Sequence, residues 1–221
     1  MNINILSIRD TCRTNLIEYT RKAFGKIPYI DEPQLLDLGC GTGATSLQLA
    51  ELTNGNIVAV DEDKDCIDFL NSRIKKLHLE NKIETIHSSV FKARLPEKSF
   101  DIIWAEGILN IIGFEKGLAF FRPFLKDKGY YVVHDDIKNE KIKIIQACRY
   151  KIKDSFELPA DAWWKSYYSC LQKKLQELAD SCKTDSTMLR LIQEEKQHVE
   201  GFLTRPETYH SMFCILQKDN G

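Results

Sequence analysis

Between Leu35 and Ala50 the chain reads LLDLGCGTGATSLQLA, an apolar run, then three glycines at alternate positions, then a helix-forming stretch. No other feature constrains the fold as much. An apolar strand delivers the backbone into a sharp turn at Gly39, Gly41 and Gly43, and the helix that follows presents free backbone N–H groups just beyond it. The arrangement predicts a pocket for a nucleoside cofactor at the end of that strand.

The spacing fits two chemistries. Gly39, Gly41 and Ala44 satisfy the relaxed dinucleotide pattern G-x-G-x-x-G/A, with Asp61 following about twenty residues later as that pattern expects. Asp37 and Gly43 shift the balance. A carboxylate just before the first glycine repels a pyrophosphate and attracts a ligand that carries an ammonium and a sulfonium. Nicotinamide-dependent reduction finds no further support, because no Y-x-x-x-K pair occurs in the chain.

Four segments then carry a resemblance. Asp37-Leu38-Gly39-Cys40-Gly41-Thr42-Gly43 has the form D/E-x-G-x-G-x-G, NIVAVD runs from Asn56 to Asp61, LPEKSFDIIW from Leu95 to Trp104, and LKDKGYYVV from Leu125 to Val133. In this order the chain resembles the class I S-adenosylmethionine-dependent methyltransferases over residues 34–136. The resemblance implies a Rossmann-like, doubly wound, mainly parallel sheet with an antiparallel last strand at its edge, and S-adenosylmethionine as cofactor. It implies cofactor contacts at Asp37, Gly39, Gly41, Thr42 and Gly43, ribose contacts at Asp61 with Glu62 beside it, and a contact at Glu106. One position departs from the pattern. Where the family usually carries an acid toward the adenine amine, this chain has Ser89, whose neutral hydroxyl is a weaker acceptor, so the adenine is expected to rest partly on the Ser89 and Val90 backbone.

The remaining organisation follows from periodicity. Apolar residues at Cys12, Leu16, Tyr19 and Ala23 behind Asp10 as N-cap predict a helical lead-in over residues 1–33, closed by Pro28 and Pro33. Strands are predicted at 34–38, 56–60, 83–87, 100–105 and 129–134, alternating with helices at 43–53, 64–79 and 114–122. Residues 137–207 read as a helical insertion, with Trp164, Tyr168, Leu171, Leu175 and Leu178 and then Met188, Ile192, Val199 and Phe202 at helical spacing. A final strand, Tyr209 to Gln217, falls within residues 208–218. The whole chain reads as one domain, since 221 residues with 43% hydrophobic content can bury a single sizeable core and no linker interrupts them.

Charge and cysteines narrow the partners. A net charge of -1 offers no basic excess to neutralise phosphates, so nucleic acid is disfavoured as acceptor. The tetrapeptide N-P-P-Y of base-amine methyltransferases is also missing, its place taken by Ala105-Glu106-Gly107-Ile108. Seven scattered cysteines without a C-x-x-C pair read as reduced thiols, and with no membrane-length apolar segment the expected location is the cytoplasm.

Methyl transfer from a sulfonium requires mainly that an acceptor be brought close and aligned. Glu106 and His134, at the ends of the fourth and fifth strands, are the candidate catalytic groups, with Asp135 and Asp136 beside them. No metal is assigned. Trp163 and Tyr167 are the candidate acceptor contacts, Trp164 and Tyr168 turning inward. Arg9, Arg13 and Arg21 are the nearest cations for a methionine carboxylate, though none is placed in the site, and Glu194-Glu195-Lys196 reads as a solvated helix face. The function expected is methyl transfer to a small molecule, with RNA or protein methylation and non-catalytic cofactor binding as alternatives. The sequence is silent on oligomeric state.

Overall fold

A computed structural model describes residues 3–182, 185–205 and 210–219. Helices α1 (Ile3–Arg13) and α2 (Ile17–Phe24) lead into an alternating series. It runs β1 (Gln34–Leu38), α3 (Ala44–Leu52), β2 (Asn56–Asp61), α4 (Lys64–Lys76), β3 (Ile83–His87), β4 (Phe100–Glu106), α5 (Leu109–Ile112), α6 (Phe114–Phe121) and β5 (Leu125–Asp135). Then come α7 (Asn139–Ala147), β6 (Tyr150–Glu157), α8 (Ser169–Ser181), α9 (Ser186–Thr204) and β7 (Met212–Lys218).

The seven strands form one sheet in the order β3-β2-β1-β4-β5-β7-β6. The first five are parallel, and β7 runs antiparallel between β5 and β6. Two apolar layers cover its faces, one around Leu35, Leu49, Leu70 and Trp104, the other around Leu36, Leu118, Phe121 and Tyr131. Chain order reverses between β1 and β4, so a crevice opens at their carboxyl ends, where ligands of such sheets bind. The β4–β5 register sets Glu106 beside His134 at that end.

The insertion departs from its predicted form. Tyr150–Glu157 is a strand, paired antiparallel with β7, so β6 rather than the last strand forms the sheet edge. Its alternating burial was present in the sequence as Tyr150 and Ile152 flanked by Lys151 and Lys153, and lysines on an edge discourage further strand pairing. Among the described residues the rest of the insertion is mainly helical, with Tyr168, Leu171, Leu175, Met188, Ile192, Val199 and Phe202 buried together with Ile5 and Cys12 of α1. The lead-in and the insertion thus share a small core of their own. Of the final strand, Tyr209 lies outside the described residues.

Three further expectations are corrected. Asp10 is not an N-cap, since α1 begins at Ile3 and Asp10 lies buried within it, accepting hydrogen bonds from Thr42 (3.0 Å) and Arg73 (2.5 Å). Glu195 is not on a solvated face but buried, with Arg9 at 3.7 Å. Cys12 and Cys170 are not free thiols. They form a disulfide between α1 and α8, because the shared core brings these two helices together over a separation of 158 residues, which no local spacing reveals.

Candidate active site

The glycine turn shows why each glycine is there. Gly43 is left-handed at φ +85° as the N-cap of α3, and a Cβ there would overlap Leu70 of α4, so the turn and that helix pack only without a side chain. Gly41, at φ +53°, is different, since a Cβ there would meet nothing within 4 Å among the described residues. It faces a cavity of about 630 Å³ at the crevice, lined also by Gly39, Thr42, Asp61, Glu62, Ser89, Val90, Glu106, Trp163 and Tyr167. These nine, with Gly41, are ten of the sequence-named site residues on one surface.

Asp61 is fixed before any ligand arrives. Its carboxylate accepts the Gly41 N–H at 2.8 Å and the Asp63 N–H at 2.9 Å, so it ties the end of β2 to the glycine turn and keeps lone pairs for further donors. Asp63 in turn caps α4 through the Asp65 and Cys66 N–H groups. Thr42 holds α1 through Asp10.

Asp37 and Gly43 stand behind this surface. Asp37 is 2% exposed, accepts a hydrogen bond from Ser46, and has its pKa raised by burial to about 7, so a cation nearby is what favours its charged form. It reaches a smaller adjoining cavity, with Gly39, Gly41 and Arg13, rather than the main one.

The lid is α1, which lays Leu6, Arg9 and Arg13 along the cavity. These positions share one helix face, a signal readable from their spacing. Arg13 pairs with Glu106, whose carboxylate also accepts from Thr20 (2.9 Å) and Trp104 Nε1 (2.7 Å). With three donors held, Glu106 is a fixed charge partner and is poorly suited to carry a proton to or from a reacting group. Arg21 is elsewhere, bound to Gln48 and Glu51.

A second cavity of about 330 Å³ adjoins the first, and Arg13, Glu106, Gly107 and Trp163 line both. His134 lies at its wall, 4% exposed, stacked on Phe213 at 4.2 Å between ring centroids and on Trp163 at 5.9 Å. Burial, and then the Arg13 charge, lower its pKa to about 3, so it is a neutral ring and a weak base. Trp163 donates to Ser211 at 2.9 Å, which fixes its plane. Tyr168 is buried, as expected, but also touches the main cavity, while Trp164 stacks on Phe202 in the small core.

This donor set suits S-adenosylmethionine. A bare backbone cradle, an anchored carboxylate at the end of β2 and an Arg–Glu pair that can match an amino-acid zwitterion are the groups that molecule requires.

Known proteins agree. Residues 31–198 match the family described as "Methyltransferase domain". The chain is 26% identical over 142 residues to the ribosomal protein L11 methyltransferase of Ruminiclostridium cellulolyticum, covering 63% of this chain and 44% of that one. It spans between 22% and 56% of the length of the first curated relatives it matches. By structure it is similar to a SAM-dependent methyltransferase from Thiobacillus denitrificans in complex with S-adenosyl-L-homocysteine, with TM-score 0.74 at 12% identity over 92% of this chain and 91% of that one. It is also similar to the cyclase SpnF, with TM-score 0.75 at 14% identity over 92% and 82%. At such identities these structures speak for the fold. With the family match spanning the glycine turn and strands β1 to β6, the chain belongs to the methyltransferase domain family, in its class I group whose cofactor is S-adenosylmethionine.

Proposed function

We propose that the protein is an active methyltransferase whose acceptor is a small molecule. One observation supports this above the others: two adjoining chambers share the Arg13–Glu106 pair and the Trp163 ring. The larger chamber is lined by the glycine turn and Asp61, and the smaller lies at the ends of β4 and β5 behind the aromatic wall.

The cofactor supplies a methyl group on a sulfonium, already activated for displacement. The chain's residues do the rest. The main-chain cradle at Gly39 and Gly41 admits the cofactor, Asp61 and Glu62 take the ribose end, and Ser89 with the Val90 backbone takes the adenine. Arg13 and Glu106 take the amino-acid end, and Asp37 supplies negative potential behind it. Trp163, on both chambers, and Tyr167, on the larger, bound the space an acceptor occupies.

A protein acceptor has one finding in its favour, the likeness to a ribosomal protein methyltransferase. The lid argues against it, because α1 and the insertion narrow the larger chamber with Leu6, Arg9, Arg13, Trp163 and Tyr167. The test is transfer of label from methyl-labelled S-adenosylmethionine to small-molecule pools, total RNA and total protein. Label in small soluble products supports the proposal. Label confined to protein or RNA overturns it.

A further inference from the structure

The smaller chamber has a polar wall that cofactor binding does not use. Two residues lining it, His134 and Asp135, are each 4% exposed and each carry a buried side-chain atom, Nε2 and Oδ2, that has no hydrogen-bond partner among the described residues. Buried polar atoms left unpaired are costly, so they mark where a ligand supplies the missing partners. The other Asp135 oxygen is already engaged, accepting from Lys141 at 3.0 Å, from the Asp136 N–H at 2.6 Å and from Asn110.

Beyond them stand His210 and Asp136, on the same chamber. His210 Nδ1 lies 3.4 Å from Asp136 Oδ1, and Nε2 lies 3.6 Å from Glu157 Oε1. Asp136 follows β5, Glu157 ends β6 and His210 precedes β7, so the three strands converge on the ring. Lys138 at 3.2 Å from Asp136 is the nearby cation, and Arg13, Glu106, His134 and Asp135 are the other charged or titratable groups of the chamber. Asp136 is the nearer of the two carboxylates, and in the tautomer that turns Nδ1–H toward it Nε2 is the proton acceptor. Such pairs tighten when substrate binds.

Resting on the methyltransferase reading above, we propose that this chamber is the acceptor site, that its acceptor is a hydroxyl compound, and that His210, positioned by Asp136, takes the hydroxyl proton. A hydroxyl must lose a proton on methylation, whereas a free amine needs only to arrive deprotonated, so a carboxylate-backed histidine is a device for oxygen. His134 and Asp135 hold the acceptor's other polar groups. In the step, the acceptor oxygen bonds to the methyl carbon as the carbon–sulfur bond breaks. That bond's electron pair goes to sulfur, leaving a neutral thioether, and the hydroxyl proton passes to His210 Nε2. The imidazolium formed sits between the Asp136 and Glu157 carboxylates.

The test uses the full chain with methyl-labelled S-adenosylmethionine and two size-matched probe sets, phenol and benzyl alcohol against aniline and benzylamine. Label is expected in the alcohols or the phenol. His210→Gln is expected to lower kcat by about 100-fold, to remove the rising limb of the pH profile, and to leave S-adenosylhomocysteine affinity within about twofold. Asp136→Asn should show a smaller loss in kcat. Independently of turnover, phenol added to the protein loaded with S-adenosylhomocysteine should shift the His210 ring resonances, and His134→Phe should weaken phenol binding. Label entering the amines alone, no label in any hydroxyl probe, or a His210→Gln variant with unchanged kcat and pH profile would overturn the inference. Failure to bind S-adenosylhomocysteine at all would instead defeat the underlying methyltransferase reading.

Discussion

Gly41 and Gly43 lie two residues apart in one turn, yet alanine at each should fail differently. Both are left-handed, so either substitution costs about 1–2 kcal/mol of backbone strain. At Gly41 no described residue is displaced, because a Cβ there has none of them within 4 Å. Gly41→Ala should therefore lose only about 1–2 kcal/mol of stability, while the added methyl stands in the cavity and lowers S-adenosylhomocysteine affinity by tenfold or more. At Gly43 the Cβ would overlap Leu70 Cδ1 and stand 2.9 Å from Cγ, and Leu70 is fully buried. Overpacking of this kind adds about 1–3 kcal/mol, for a total near 2–5 kcal/mol. Urea unfolding and calorimetry on the two variants separate the effects, and Gly43→Ala with Leu70→Ala should cost less than the sum of the two single changes. Equal stability loss in the two single variants, or normal cofactor affinity in Gly41→Ala, would refute the assignment of one glycine to packing and the other to the ligand.

Asp61→Ala should weaken S-adenosylhomocysteine binding by about 1.5–3 kcal/mol and lower stability as well, because the carboxylate also holds the Gly41 and Asp63 N–H groups; calorimetry beside thermal melts checks both. Thiol titration of the denatured, unreduced chain should find five free thiols, and Cys12→Ser should lower stability by up to about 5 kcal/mol, the chain-entropy value for so long a loop; seven thiols would remove the tether. Asp37 and His134 should oppose each other in pH dependence. Asp37, raised from 3.8 to about 7, adds stability as pH falls below 7, since the native state takes up its proton first. His134, lowered from 6.5 to about 3, removes stability as pH falls below 6.5, since the unfolded chain takes up its proton first. Each slope is about 1.4 kcal/mol per pH unit, so they cancel between about pH 6.5 and 4. Asp37→Asn should expose the His134 slope as a stability that falls with pH in that window, and parallel urea profiles for variant and parent would count against it.

Local chemistry determined the core of this protein from sequence. A strand of apolar residues, a turn that only glycine can make and an acid at the next strand end are short-range requirements, so a cofactor pocket was legible from them, and the family and its cofactor from the resemblance over residues 34–136. Trp163 and Tyr167 line the cavity, but Tyr168 reaches it too, so helical spacing set only Trp164 apart from them. What escaped were relations between distant segments. Asp10 reads as a cap until α4 and the glycine turn arrive beside it, and Glu195 reads as solvated until Arg9 covers it. Cys12 and Cys170 pair only because two helices share a core, and β6 becomes an edge strand only where β7 offers it backbone partners. Glu106 reads as a site carboxylate at a strand end and Arg13 as one of three nearby cations, with nothing to pair them. Only the tertiary fold decides that they meet, because burying either charge without the other would cost more than the fold can offset.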